Sequence, residues 1–126
     1  MNKETFRLLR TAMGLEIETV AAELEINRRT VERWESGRNL LPEFAQVWLE
    51  GRWQTFLDEL GEYVAPLEEA PDGASVTLAV YDSPETLRRT GSDKTLSEVD
   101  AMNRALAVCM GLADLEPVAS LVPTEE

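Results

Sequence analysis

The chain has no histidine and a single cysteine, Cys109. Without histidine there is no His-based triad, no imidazole general base and no histidine metal ligand. One thiol makes neither an intramolecular disulfide nor a multi-cysteine zinc site. A lone cysteine suits a reducing compartment. Basic residues are scarce: 12 Lys+Arg stand against 24 Asp+Glu, for a formal net charge of −12. Acidity of that degree opposes non-specific attachment to nucleic acid. Long apolar runs are missing too. The longest, Ala105 to Ala113, falls short of the about 20 residues that span a bilayer. Met1-Asn2-Lys3-Glu4 does not open a signal peptide. The expectation is a soluble cytoplasmic protein without cofactor or metal, and not an enzyme.

What is present is an ordinary globular balance. Over 126 residues, 44% are hydrophobic and 29% charged, enough for one average domain or two small lobes. The charge is unevenly spread. Residues 1–60 carry 8 basic and 11 acidic groups, and residues 61–126 carry 4 and 13. Between Arg28 and Arg38, four arginines (28, 29, 33, 38) face only Glu32 and Glu35. On charge alone this segment is either a solvated helix face with paired charges or a patch aimed at phosphates and bases. An acidic binder has to concentrate its positive potential where the ligand touches.

Pro66, Glu68, Glu69, Ala70, Pro71, Asp72 and Gly73 form the clearest break, since two prolines and an Asp-Gly step interrupt both helix and strand. Before it, apolar positions recur at helical spacing. Phe6, Leu9 and Met13 mark a first helix that Gly14 stops, and Ile17, Val20, Ala21 and Leu24 a second. Val31 and Trp34 mark a third, which Gly37 ends. Pro42 opens a longer apolar segment with Phe44, Val47, Trp48, Phe56, Leu57, Leu60 and Val64, and Gly51 within it argues against one straight helix. Trp48 and Trp53 read as core or interface. After the break, Ser75 to Tyr81 is rich in β formers. Ser83-Pro84-Glu85 is a helix start, and Leu87 faces inward. Ser97 is expected to cap a last helix running to about Ala113, with a short strand over Val118 to Val122. The fold class expected is α+β: a mostly α bundle of four to five helices followed by a small α/β lobe.

Glu18 to Leu24, the turn Glu25-Ile26-Asn27, and Arg28 to Ser36 have the spacing of a helix-turn-helix. Asn27 is placed to cap the second helix. Ala21 is small where the two helices must cross. With Leu24, Ile26, Val31 and Trp34 turned inward, Arg28, Arg29, Glu32 and Arg33 lie outward, where a recognition helix meets base edges.

These residues resemble a family. Gly14-Leu15, Val20-Ala21, Leu24, Ile26-Asn27, Thr30-Val31 and Trp34-Glu35-Ser36-Gly37 resemble the Cro/lambda-repressor-like (XRE) helix-turn-helix regulators over about residues 3–50. The resemblance implies DNA contact by Arg28, Arg29 and Arg33, with Asn27, Glu32 and Arg38 as neighbours that meet phosphate or bases. It also implies an ion pair between Arg10 and Glu35. Two positions depart from the family pattern. Ile17 stands where a phosphate-binding glutamine is common, and Glu25 where a left-handed glycine is usual.

The layout of the second half, notably Val80-Tyr81 and Ala101 to Cys109, is similar to short phage and bacterial regulators that include the anti-CRISPR-associated repressors. That similarity implies a C-terminal dimerisation lobe. The domains expected are a DNA-binding domain over 1–65, a linker over 66–74 and a dimerisation domain over 75–126. The protein is then a homodimeric, sequence-specific repressor of its own operon, bound to an inverted-repeat operator in double-stranded DNA. Against the dimer stands packing of the same apolar residues within one chain, against the fourth helix.

Three rival readings stand beside it. One is an antitoxin that neutralises a basic partner and autoregulates; another is RNA binding by the arginine helix. The third is an enzyme, but the carboxylates Glu68, Glu69 and Asp72 lie in the linker. Cys109 lies on an apolar stripe and reads as core, since Arg104 is on another face of the helix.

Overall fold

A computed structural model describes residues 1–123; residues 124–126, the end of the expected C-terminal domain, lie outside the described residues. The fold is α+β and mostly helical, with six α-helices and a two-stranded parallel sheet among the described residues. The helices are α1 (Lys3–Ala12), α2 (Ile17–Leu24), α3 (Arg28–Ser36), α4 (Glu43–Val64), α5 (Pro84–Arg88) and α6 (Leu96–Leu112); the strands are β1 (Ser75–Tyr81) and β2 (Glu116–Val122). The chain divides into two units, Met1–Leu57 and Asp58–Glu126. Their boundary falls inside α4 rather than at the proline-rich break, which forms a 3-10 turn, Ala65–Glu69, and the residues leading into β1.

The N-terminal unit is built on one core. Phe6, Met13, Leu15, Val20, Ala21, Val31, Trp34, Ala45 and Leu49 are buried together. Phe6 meets the Trp34 ring edge-on, with centroids 6.3 Å apart, a favoured aromatic geometry. Leu24, Ile26, Trp48 and Trp53 pack half-buried against this core. In α4 the inward pair is Ala45 and Leu49, one turn apart, while Phe44 and Val47 are exposed. The helix runs unbroken through Gly51, because a single interior glycine weakens a helix by about 1 kcal/mol without breaking it.

Local chemistry sets the helix ends. Asn2 caps α1 and Asn27 caps α3, each accepting a backbone N–H with its side-chain oxygen. Gly37 ends α3 at φ +83°, in the left-handed region that favours glycine. Glu25 ends α2 in the same region, at φ 55° and ψ 45°. A side chain there costs roughly 1–2 kcal/mol. Glu25→Gly is therefore expected to raise the stability of the N-terminal unit by about 1 kcal/mol, read as a higher midpoint in urea. A lower midpoint would show that the Glu25 side chain contributes more than its backbone conformation costs.

In the C-terminal unit, β1 and β2 pair in parallel from Ser75 opposite Glu116 to Tyr81 opposite Val122. Parallel strands need a long crossover, here α5 and α6. Val76, Leu78 and Val80 alternate inward along β1. Helix α6 turns Ala101, Met102, Leu106 and Met110 inward, and the Asn103 side-chain amide donates to the Ala79 carbonyl at 2.8 Å. The cap of α6 is Thr95, not Ser97. Thr95 and Glu98 form a reciprocal capping box, so Ser97 falls inside the first turn. Ser83 caps α5 as expected, and Leu87 is buried. Cys109 is half-buried on α6. Several large apolar side chains of this unit stay in solvent, with Leu112 on α6 84% exposed and Leu121 on β2 58% exposed. No helix among the described residues is long and apolar enough to cross a membrane.

Candidate nucleic-acid interface

Helices α2 and α3 pack against each other around the turn 25–27. The Ile26 N–H donates to the Ala21 carbonyl at 3.0 Å, which closes the end of α2. The Asn27 side-chain oxygen then accepts the Arg29 N–H at 2.9 Å and starts α3. Val31 and Trp34, both buried, hold one side of α3 against the core. The opposite side carries Arg28, Arg29, Glu32 and Arg33, all exposed, with Asn27 before it and Arg38 after it exposed as well. All six residues expected at the interface therefore lie on or beside one exposed helix.

The rotation of α3 is held from below. Arg10 of α1 pairs side-on with Glu35 of α3: Nε lies 2.6 Å from Oε2, and Nη2 lies 2.8 Å from Oε1. Its third nitrogen, Nη1, donates to the Leu15 carbonyl at 2.8 Å. Both side chains are nine-tenths buried. A planar guanidinium fork that is satisfied in this way fixes both distance and orientation. The expected pair is thus present, and it points Glu35 away from the exposed arginines.

The four arginines of the segment are not equivalent. Arg28 donates from Nε to Glu32 Oε1 at 2.7 Å, one turn along the same helix. It also donates from Nη1 to Glu18 in the first turn of α2. The hydrogen bond to Glu32, and then the charge of Glu18, raise the Arg28 pKa above the ordinary arginine value. The guanidinium therefore keeps its proton throughout the accessible pH range. Arg29, Arg33 and Arg38 have no side-chain ion pair among the described residues. Arg29 and Arg33 are one helical turn apart and share a face.

Sequence reasoning missed Glu18. The residue is ten positions before Arg28, outside any local helical spacing, and only the crossing of α2 and α3 brings the two together. Ile17, which replaces the phosphate-binding glutamine of the family pattern, is half-buried against the core and serves packing. Among the described residues, no three carboxylate or thiol side chains converge as a metal site. No family model matches the chain, and no curated protein matches it in sequence.

Proposed function

We propose that the protein is a sequence-specific regulator that binds double-stranded DNA through α2 and α3, as the XRE helix-turn-helix proteins do. One observation carries the reading: a capped helix, anchored on its inner side by Val31, Trp34 and the buried Arg10–Glu35 pair, presents Arg29 and Arg33 outward without acidic partners among the described residues. Such a helix fits the major groove. Arginine is the common reader of guanine through its O6 and N7 acceptors, so the half-site contains guanine. The strongly acidic remainder of the chain keeps non-specific affinity low.

The regulator acts as a homodimer. A lobe of this size gains from a partner, and the exposed Val108 and Leu112 on α6 and Val118 and Leu121 on β2, with the open edges of a two-stranded sheet, support self-association. Two recognition helices then enter successive major grooves about 10 base pairs apart on an inverted repeat. Occupancy of a promoter by such a dimer represses it, and an operator upstream of its own gene makes the regulation autogenous.

The test is selection of the full chain on a random duplex library, followed by a salt series on the enriched sequence. The expected result is an inverted repeat with guanine in each half-site and an affinity that falls linearly on a log–log plot against salt. Enrichment of no duplex at low salt overturns the DNA-binding reading. A monomer in sedimentation at micromolar concentration, bound to a single unrepeated half-site, overturns the dimer.

A further inference from the structure

The geometry points to Arg29 and Arg33 as the base readers of this helix, and to Glu18 as the residue that withholds Arg28 from base readout. The inference rests on the DNA-binding reading above and narrows which side chains set its specificity. It departs from the resemblance, which places position 28 among the base contacts.

A guanidinium reads guanine with two parallel N–H groups, either Nε with Nη2 along its side or Nη1 with Nη2 at its end. A single carboxylate on Nε, such as Glu32, leaves the end fork open and braces it. The second carboxylate changes this. Glu18 accepts from Nη1, one of the two nitrogens of the end fork, so a base edge approaching that fork meets a carboxylate. Each fork of Arg28 therefore has a carboxylate oxygen bonded to one of its nitrogens. Charge acts in the same direction. Arg28 with Glu18 and Glu32 sums to −1, so this corner of the helix repels phosphates and the acceptor edge of guanine. Among the described residues, Arg29, Arg33 and Arg38 have no such neighbours bonded to them. Glu18 sits in the first turn of α2, the helix that crosses the DNA backbone in this docking geometry. A carboxylate there is tolerable only when it is neutralised, and Arg28 neutralises it. Arg28 is thus a positioning residue that ties the start of α3 to the start of α2.

The experiment is duplex selection with four forms of the full chain: wild type, Glu18→Ala, Arg28→Ala and the double variant. Both substitutions place alanine on exposed helix positions, where it is the best helix former, and circular dichroism checks that each form folds. Arg28→Ala is expected to weaken all duplexes alike and to keep the wild-type base preferences. Glu18→Ala frees the end fork with Glu32 as its brace, and is expected to add a guanine preference of about fivefold or more at one further position per half-site. The double variant loses that gain. Loss of a preferred base in Arg28→Ala overturns the inference, since Arg28 is then a reader. An unchanged motif in Glu18→Ala overturns it as well. If wild type enriches no duplex, the DNA-binding reading itself fails and this inference falls with it. If wild type enriches a motif and the variants break the pattern, only the inference fails.

Discussion

Arg10→Ala is expected to cost the N-terminal unit about 3–5 kcal/mol, the usual consequence of removing one member of a buried ion pair. The substitution does more than delete a contact. Glu35 is left as an uncompensated carboxylate in a site nine-tenths removed from solvent, and the Leu15 carbonyl loses the donor 2.8 Å away. An orphaned charge and an orphaned acceptor each carry a desolvation penalty. Glu35→Ala is expected to be of similar severity, because it strands the guanidinium. The informative control is Arg10→Met with Glu35→Leu. That pair removes both charges and keeps volume, so it recovers most of the lost stability. Urea denaturation of the full chain, followed by tryptophan fluorescence, reads the N-terminal unit directly, since Trp34, Trp48 and Trp53 all belong to it. A loss below about 1 kcal/mol for Arg10→Ala, the range of an exposed pair, would contradict the buried geometry. The double variant carries a second message. A core that regains stability without the pair, yet binds its selected duplex more weakly, would assign the pair to aiming α3 rather than to holding the fold.

Arg29→Ala with Arg33→Ala is expected to abolish selective binding while leaving the fold intact. Each bidentate guanine contact is worth about 1–3 kcal/mol of discrimination, so loss of both lowers affinity for the preferred duplex by about two to four orders of magnitude if the sites are independent. Neither side chain contributes to the core, and neither is bonded to another side chain among the described residues. Stability should therefore move by no more than about 0.5 kcal/mol, as for surface substitutions generally. The binding ratio between the selected duplex and a scrambled one is the measurement. A ratio like that of wild type would remove α3 as the recognition element. A double variant that fails to fold would instead show that these arginines have a structural role the geometry does not reveal, and the single substitutions would then separate the two effects.

Much of the N-terminal unit was legible because its signals are local. Helix α1 follows from Phe6 and Leu9 and its end from Met13 and Gly14; α3 follows from Val31 and Trp34, with Asn27 and Gly37 at its ends. The Glu25 left-handed turn was legible from its position in the motif, although its residue type argues against that conformation. The Thr95–Glu98 capping box was also written locally, as a Thr followed three residues later by Glu, two positions before the Ser97 expected to cap the helix. The parallel partnership of β1 and β2 was not legible. Strands separated by two helices leave no mark of register on either one, and β2 lacks the alternation of burial that β1 shows. The inner face of α4 was misleading for a related reason. Phe44 and Val47 are apolar yet exposed, while Ala45 and Leu49 are buried, because the face of a helix that turns inward is set by the neighbours it packs against and not by its own composition alone.

Periodicity, capping residues and the count of charges by themselves determined where the helices of the first unit lie, and that four arginines fall in one short segment of net positive charge. Such features depend on residues within about two turns of one another, and those neighbours are fixed by the chain. Which of those arginines is left unpaired was decided only by tertiary structure. Glu18 reaches Arg28 through the crossing of two helices, and Arg10 reaches Glu35 through the packing of a third. Electrostatic partnership falls off with distance in space, not along the chain, so the same composition yields a reader or a spectator according to which carboxylate the fold brings near.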